Sequence, residues 1–283
     1  MQNVAFIDET LDRNLTHTYH LSIQADLNGL SFCILDPVTN KYIVLFHYNF
    51  EEDLPLEDIL LKIEEIIQSN DLLNKKKYKS SKLIWLSNKS LIIPEPVFSK
   101  ENLKTHFEFN HKLDDLDEIH YRRLQYIDVY CVYSIPNLIA NLLTKYFPGI
   151  RFYNQQHIFL DAVLNKSLSE KIKIDVFVRN NYVDIAITEG HKLLLLNSYR
   201  TKGDADISYF VLMLFEQFNL NGEINELVFS GDITRNSIAY ANLQKYIKHI
   251  KFDILPEDFT YSYTFNKIPH HMFSNLFRLT KCE

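Results

Sequence analysis

A chain of 283 residues, 46% hydrophobic and 23% charged, carries enough apolar side chains for one large or two ordinary domains. A formal net charge of −6 argues against a general nucleic-acid-binding or anionic-membrane surface. The cysteines Cys33, Cys131 and Cys282 lie far apart with no CxxC, which argues against a disulfide framework or a zinc site, so no metal site is expected and a reducing, cytoplasmic setting is.

Residues 1–17 read as a loose arm, with an opening (MQNVAFIDETLDRN) unlike a signal peptide. Apolar or alternating runs at 19–24, 30–35 and 42–48 predict a three-stranded meander, its first turn at Asn28-Gly29. In LPLEDILLKIEEIIQSN, Ile59, Leu60, Ile63, Ile66 and Ile67 follow helical spacing. Lys75, Lys76 and Lys77 mark a solvated loop, and a short buried strand, KLIWLSN, follows. SLIIPEPVF is expected to be extended because of its prolines, ENLKTHFEFN to be a short helix, 119–133 a strand and 135–147 a helix. Pro148-Gly149 punctuates the chain, which predicts one subdomain over 18–148 and a second over 149–283.

After it, RFYN is a strand and 155–165 a helix. KIKIDVFV, YVDIAIT and HKLLLLNSY then form a second meander, with turns at Asn180-Asn181 and Glu189-Gly190. A helix over 205–218 with Asp204 as N-cap, a buried strand ELVFSGD, a helix over 237–249 and a strand KFDIL complete the pattern. No apolar run approaches the roughly 20 residues of a membrane span.

The order of elements repeats. Ile34 aligns with Ile187 and Ser31 with Asp184, an offset of 153 residues (187 − 34). Both halves read as a meander, a helix, then a short apolar strand and turn, LIWLSN in the first and LVFSGD in the second. Two α/β subdomains facing a cleft account for this.

That architecture resembles the ribonuclease H-like, actin-like ATPase superfamily: actin, sugar kinases, the Hsp70 ATPase domain, and division and pilus proteins of the FtsA and PilM types. More closely, NSYRTKGDADISYFVLMLFEQFNLN, LVFSGDI and the ending FRLTKCE are similar to an uncharacterised bacterial family of actin-like ATPases, over nearly the whole chain. The resemblance implies ATP and magnesium in the cleft, held by a hairpin of the form Asp-x-Gly-Ser/Thr-Ser/Thr. There the acid organises magnesium and water, and the glycine admits the phosphate.

This sequence departs from that pattern. Gln24 stands at the acid's place, Asp26 at the glycine's, and Leu27 and Asn28 where hydroxyls belong. An amide is no substitute for a carboxylate toward a hard cation. The second hairpin places Phe177 and Arg179 where an acid and a glycine are expected, with Asp175 two residues early on the same strand face and so the one candidate for a catalytic acid. Ser230, Gly231 and Asp232 stand where the superfamily has an adenosine-side Gly-Gly, and Gly203 and Asp204 precede the second-half helix, where Asp204 and Asp206 are magnesium candidates or simple helix-capping acids. No Walker A or GxGxxG motif is present. The expectation is a degenerate, non-catalytic actin-like protein that binds another protein. The alternatives are a divergent ATP-binding protein or ATPase, and an assembly or morphogenesis factor that polymerises like actin. An open, polar cleft beside Gly231 would favour nucleotide, and a cleft filled by Phe177 would favour the non-catalytic reading.

Overall fold

The computed structural model describes residues 4–50, 54–114, 116–166 and 171–282. In chain order its regular elements are β1 (Val4–Ile7), β2 (His20–Ala25), β3 (Gly29–Asp36), β4 (Lys41–Asn49), α1 (Leu56–Ser69), β5 (Ser80–Trp85), β6 (Ser90–Pro94), α2 (Leu103–Asn110), β7 (Asp117–Arg123), β8 (Val129–Pro136), α3 (Asn137–Tyr146), β9 (Arg151–Asn154) and α4 (Gln155–Lys166). There follow β10 (Ile172–Arg179), β11 (Tyr182–Glu189), β12 (Lys192–Arg200), α5 (Asp204–Gln217), β13 (Glu226–Gly231), α6 (Ile238–Leu243), β14 (His249–Phe252), β15 (Thr260–Tyr261) and α7 (Ser274–Arg278).

The strands form two large sheets of one plan. The first runs β1-β4-β3-β2-β5-β9 with β15 also on β4, and the second runs β12-β11-β10-β13-β14. In each, a meander lies antiparallel (β2–β4, β10–β12), and the two following strands add parallel to its first strand (β5 then β9, β13 then β14). A third, three-stranded sheet, β6-β8-β7, is inserted in the first half.

Both faces of the first sheet are covered, so its strands read as continuous apolar runs rather than as an alternation. Along β3, Phe32 and Ile34 join the core with Ile59, Ile63 and Ile67 of α1 and Ile139 and Leu143 of α3. Cys33 and Leu35 face the other way, onto Phe265, Phe273, Leu276 and Phe277 of the C-terminal segment. In the second sheet, Ile174, Val176 and Val178 pack with Ile207, Val211 and Leu214 of α5. Its opposite face contributes Phe177 and Ala186 to the core that also takes Ile158 and Phe159 of α4. That helix is buried nearly all round, as a helix lying between two layers must be.

Several expectations are corrected here. The arm is not loose where described: Val4–Ile7 pairs antiparallel with β4, Phe6 packs against Phe265, and buried Asp8 meets Lys41 at 2.8 Å. The strand expected over 119–133 is a hairpin, β7–β8, whose reversal at 124–128 is closed by an Arg123–Asp128 ion pair. The helix expected over 237–249 ends at Leu243, and the sheet takes up the chain at His249. The change-over at 148–149 does not coincide with the sheets, because β9 is the edge strand of the first sheet and the C-terminal segment packs on that sheet.

Candidate functional site in the cleft between the hairpins

The β2–β3 and β10–β11 hairpins bound a cleft of about 350 Å³ lined by Gln24, Asp26, Asn28, Phe177, Arg179, Gly231 and Asp232, with Asn180, Met272 and Phe273 among their neighbours. Pairing with the parallel strands β5 and β13 brings the two hairpins and the β13 turn to one end of the sheets. Ligand sites of open α/β sheets collect at such strand ends.

The first hairpin spends its polar groups on itself. Asp26 Oδ1 accepts the Asn28 amide at 2.8 Å, and the Asp26 amide donates to the Gly29 carbonyl at 3.1 Å. Asp26 to Asn28 is thus a three-residue loop stapled by an aspartate, and not the two-residue Asn-Gly turn expected. Gly29 is the first residue of β3, and a Cβ there would lie 2.6 Å from the Tyr48 carbonyl oxygen. Burial raises the Asp26 carboxyl above its ordinary range, opposed by the Asn28 amide and by Arg179 across the cleft.

The second hairpin is occupied as well. Phe177 is 2% exposed, its ring 6.1 Å from that of Phe159, so it walls the cleft while filling the core behind it. Arg179 Nε lies 3.0 Å from Oδ2 of fully buried Asp184, and its guanidinium stacks 4.9 Å over Tyr182. Ser198 Oγ and Gln155 Nε2 also donate to Asp184, which leaves that carboxylate fully engaged. At the end of β13, Gly231 has φ +82°, and a Cβ would stand 1.9 Å from the Val178 carbonyl oxygen. The close parallel pairing of the β13 end with β10, secured by the Asp232 amide to that same carbonyl at 2.8 Å, requires this glycine whether or not a nucleotide binds.

The remaining sequence candidates lie outside the cleft lining. Asp175 faces Lys166 and Asp253 instead, and burial, with Asp253 adding and Lys166 opposing, pushes its carboxyl up to about 7. Asp204 is the first residue of α5, not its cap, and its Oδ2 accepts the Ala239 amide at 3.0 Å, tying α5 to α6. Asp206 accepts the Lys202 amide, and Ser230 Oγ donates to the Val176 carbonyl. Gly203 holds the N-cap position in extended backbone, where a Cβ would meet nothing within 4 Å.

Beside Gln24 the structure places Ser31, His47 and Asn49, polar residues that the superfamily motifs do not mark. Gln24, Ser31 and His47 are register partners across β2, β3 and β4. Ser31 Oγ meets His47 Nδ1 at 2.8 Å, and His47 Nε2 meets Asn49 Oδ1 at 2.8 Å. Gln24 Oε1 is buried with no partner among the described residues. The only sequence signal for these residues was strand register.

On the far side of the Asp26–Asn28 loop lies a larger, mostly apolar groove of about 660 Å³, between that loop, Tyr182 and the third sheet. Leu27, Leu116 and Leu138 on its walls are exposed, and Lys89 on its rim is paired with Asp114 and Asp117.

Two sheets that share a meander followed by two parallel strands, each presenting a hairpin to a shared cleft, define an actin-like ATPase fold. The chain belongs to the family described as Protein of unknown function (DUF3822), whose profile spans residues 8–250. Among solved structures it is similar to a Bacteroides thetaiotaomicron protein with actin-like ATPase fold and unknown function, at 25% identity and TM-score 0.78 over 86% of this chain and 94% of that one. The PilM–PilN type IV pilus biogenesis complex is similar at 10% identity and TM-score 0.61, over 94% and 98% of the two chains. The ethanolamine utilization protein EutJ from Carboxydothermus hydrogenoformans is similar at 8% identity and TM-score 0.52, over 96% and 91%. No functionally curated protein matches. Among the described residues, no helix is long and apolar enough to cross a membrane.

Proposed function

We propose that this protein is a non-catalytic member of the actin-like fold that works by binding a protein partner. The observation that carries the proposal is the state of the two phosphate hairpins: Asp26 caps its own loop, Phe177 fills the wall, and Arg179 is held by Asp184. Asp26 and Asp232 line the cleft, but Asp26 accepts an amide of its own loop and Arg179 at the tip of the second hairpin is already paired, which disfavours magnesium and a triphosphate at the hairpins. The apolar groove beside the first hairpin suits a protein segment with apolar side chains, and a neighbour in fold is found in a complex of PilM with PilN. Titration calorimetry with ATP and magnesium tests the first half. No binding at micromolar concentration is expected, and micromolar affinity with measurable turnover would overturn it. For the second half, Leu116→Glu and Leu138→Glu are expected to abolish partner recovery while leaving the fold intact, and unchanged recovery would count against the groove.

A second reading has one observation behind it. The partnerless Gln24 Oε1, beside the Ser31–His47 pair, gives the cleft floor one acceptor that protein atoms do not use up. A small ligand with hydrogen-bond donors, a nucleoside among them, would use it. Thermal-shift titration with ATP, ADP and adenosine without magnesium distinguishes this case: a rise in melting temperature lost in Gln24→Leu supports it.

A further inference from the structure

Away from the cleft, a hollow of about 340 Å³ lies between α4, the turn after β7 and the C-terminal segment, and Asp161 and Cys282 line it. His157 and Asp161 stand one helical turn apart on α4, so both project to the same side, and α7 returns the chain so that Cys282 joins them. One ligand-type atom from each, nitrogen, oxygen and sulfur, falls within 4.8 Å of the other two. We propose that His157, Asp161 and Cys282 form a binding site for a late first-row divalent cation, zinc above all.

Three observations carry it. All three residues are more than nine-tenths buried, at 2%, 7% and 5% exposure. Asp161 Oδ2 has no hydrogen-bond partner among the described residues, although its sister oxygen takes the Gln125 amide at 2.9 Å, and it stands 3.6 Å from His157 Nε2. Native structures seldom leave a buried acceptor idle unless something else fills its coordination. The 3.6 Å span also matches the roughly 3.3–3.7 Å between ligand atoms around a tetrahedral ion with bonds of about 2.0–2.3 Å.

The donor chemistry selects the ion. A thiolate and an imidazole are too soft for magnesium or calcium and suit zinc, cobalt or nickel. A thiolate and a carboxylate together neutralise a divalent charge, which suits a buried centre. Without an ion, burial disfavours the charged form of each group: the His157 imidazole is pushed down to about 4, the Asp161 carboxyl up to about 6 and the Cys282 thiol up to about 12. Lys82 and Arg122 stand near enough to favour the Cys282 thiolate, and the ligands' two negative charges offset their repulsion of a cation. The hollow, lined by Asp161 and Cys282, gives an entry path. His157 Nε2 also lies 3.3 Å from the Arg123 carbonyl, a contact that metal binding at Nε2 would release.

The test uses the whole reduced chain after chelator treatment. Zinc is titrated against a chromophoric chelator, and Co²⁺ is added separately while its thiolate charge-transfer absorption is recorded. One equivalent of each metal and a thiolate band are expected, with no response to Mg²⁺. Cys282→Ser should remove the band, and Asp161→Asn and His157→Ala should each weaken binding at least about tenfold. Circular dichroism confirms the fold of each variant, and near-isosteric Asp161→Asn carries the test if Cys282→Ser does not fold. No binding, a band that survives Cys282→Ser and so arises from Cys33 or Cys131, or equal affinity in Asp161→Asn and His157→Ala to that of the parent would each overturn the proposal.

Discussion

Arg179 and Asp184 face each other across the β10–β11 hairpin, Nε to Oδ2 at 3.0 Å, the arginine side chain 9% exposed and the aspartate fully buried. Arg179 closes the cleft on one side, while Asp184 anchors the hairpin to Ser198 of β12 and Gln155 of α4. The residue best placed to meet an anion is therefore part of the joint between the second sheet and the helix beside it.

Removing one partner of this pair leaves a buried charge alone, which costs far more than the pair contributes. Arg179→Met is expected to lower unfolding stability by about 3–5 kcal/mol, and Arg179→Met with Asp184→Leu by clearly less. Urea unfolding of the two variants checks it. Equal losses would mean the pair is not coupled.

Gly231 is expected to tolerate no side chain. Alanine there would hold φ at +82° and press a carbon to 1.9 Å from the Val178 carbonyl oxygen, so either β13 or β10 must move. A loss of about 2 kcal/mol or more is expected for Gly231→Ala, measured by thermal or urea unfolding. A neutral result would show that the two strands can separate at this end of their pairing without cost.

Asp175 sets a pH dependence. Its folded carboxyl holds a proton up to pH about 7, whereas the unfolded chain releases it near 3.8. Between these values the folded state binds more protons, so stability falls as pH rises through the window, and acidification restores it. Asp175→Asn lacks this term. The stability difference between variant and parent should therefore grow in the variant's favour from pH about 4 to about 7, at up to about 1.4 kcal/mol per pH unit. His157, whose charge is disfavoured in the fold, titrates in both proteins and cancels in the difference. A flat difference would place Asp175 in contact with water.

The C-terminal segment completes the first sheet. Phe277 is fully buried against Tyr42, ring to ring at 4.8 Å, and Tyr42 Oη donates to the Phe277 carbonyl. Phe277→Ala should cost about 3–5 kcal/mol. Intrinsic fluorescence of Trp85 on β5, also in the first sheet, should report the loss in the same transition as circular dichroism. Two separated transitions would show that the segment folds apart from the sheet.

Much was legible from the chain itself. Local periodicity marked both meanders, α1 and α5. The absence of an acid at Gln24 and of a glycine at Asp26 is likewise a statement about residue types, and needs no coordinates. Sequence pattern determines such things because hydrophobic period and turn chemistry act over a few neighbouring residues. Only the tertiary structure decided where side chains separated by many residues meet. It sent Asp175 to Lys166 and Asp253 instead of to the cleft, and gave Arg179 to Asp184. It returned residues 260–282 to the first sheet and carried Cys282 beside His157 and Asp161. Those meetings depend on strand order and on the path of a long connection, which no local period encodes.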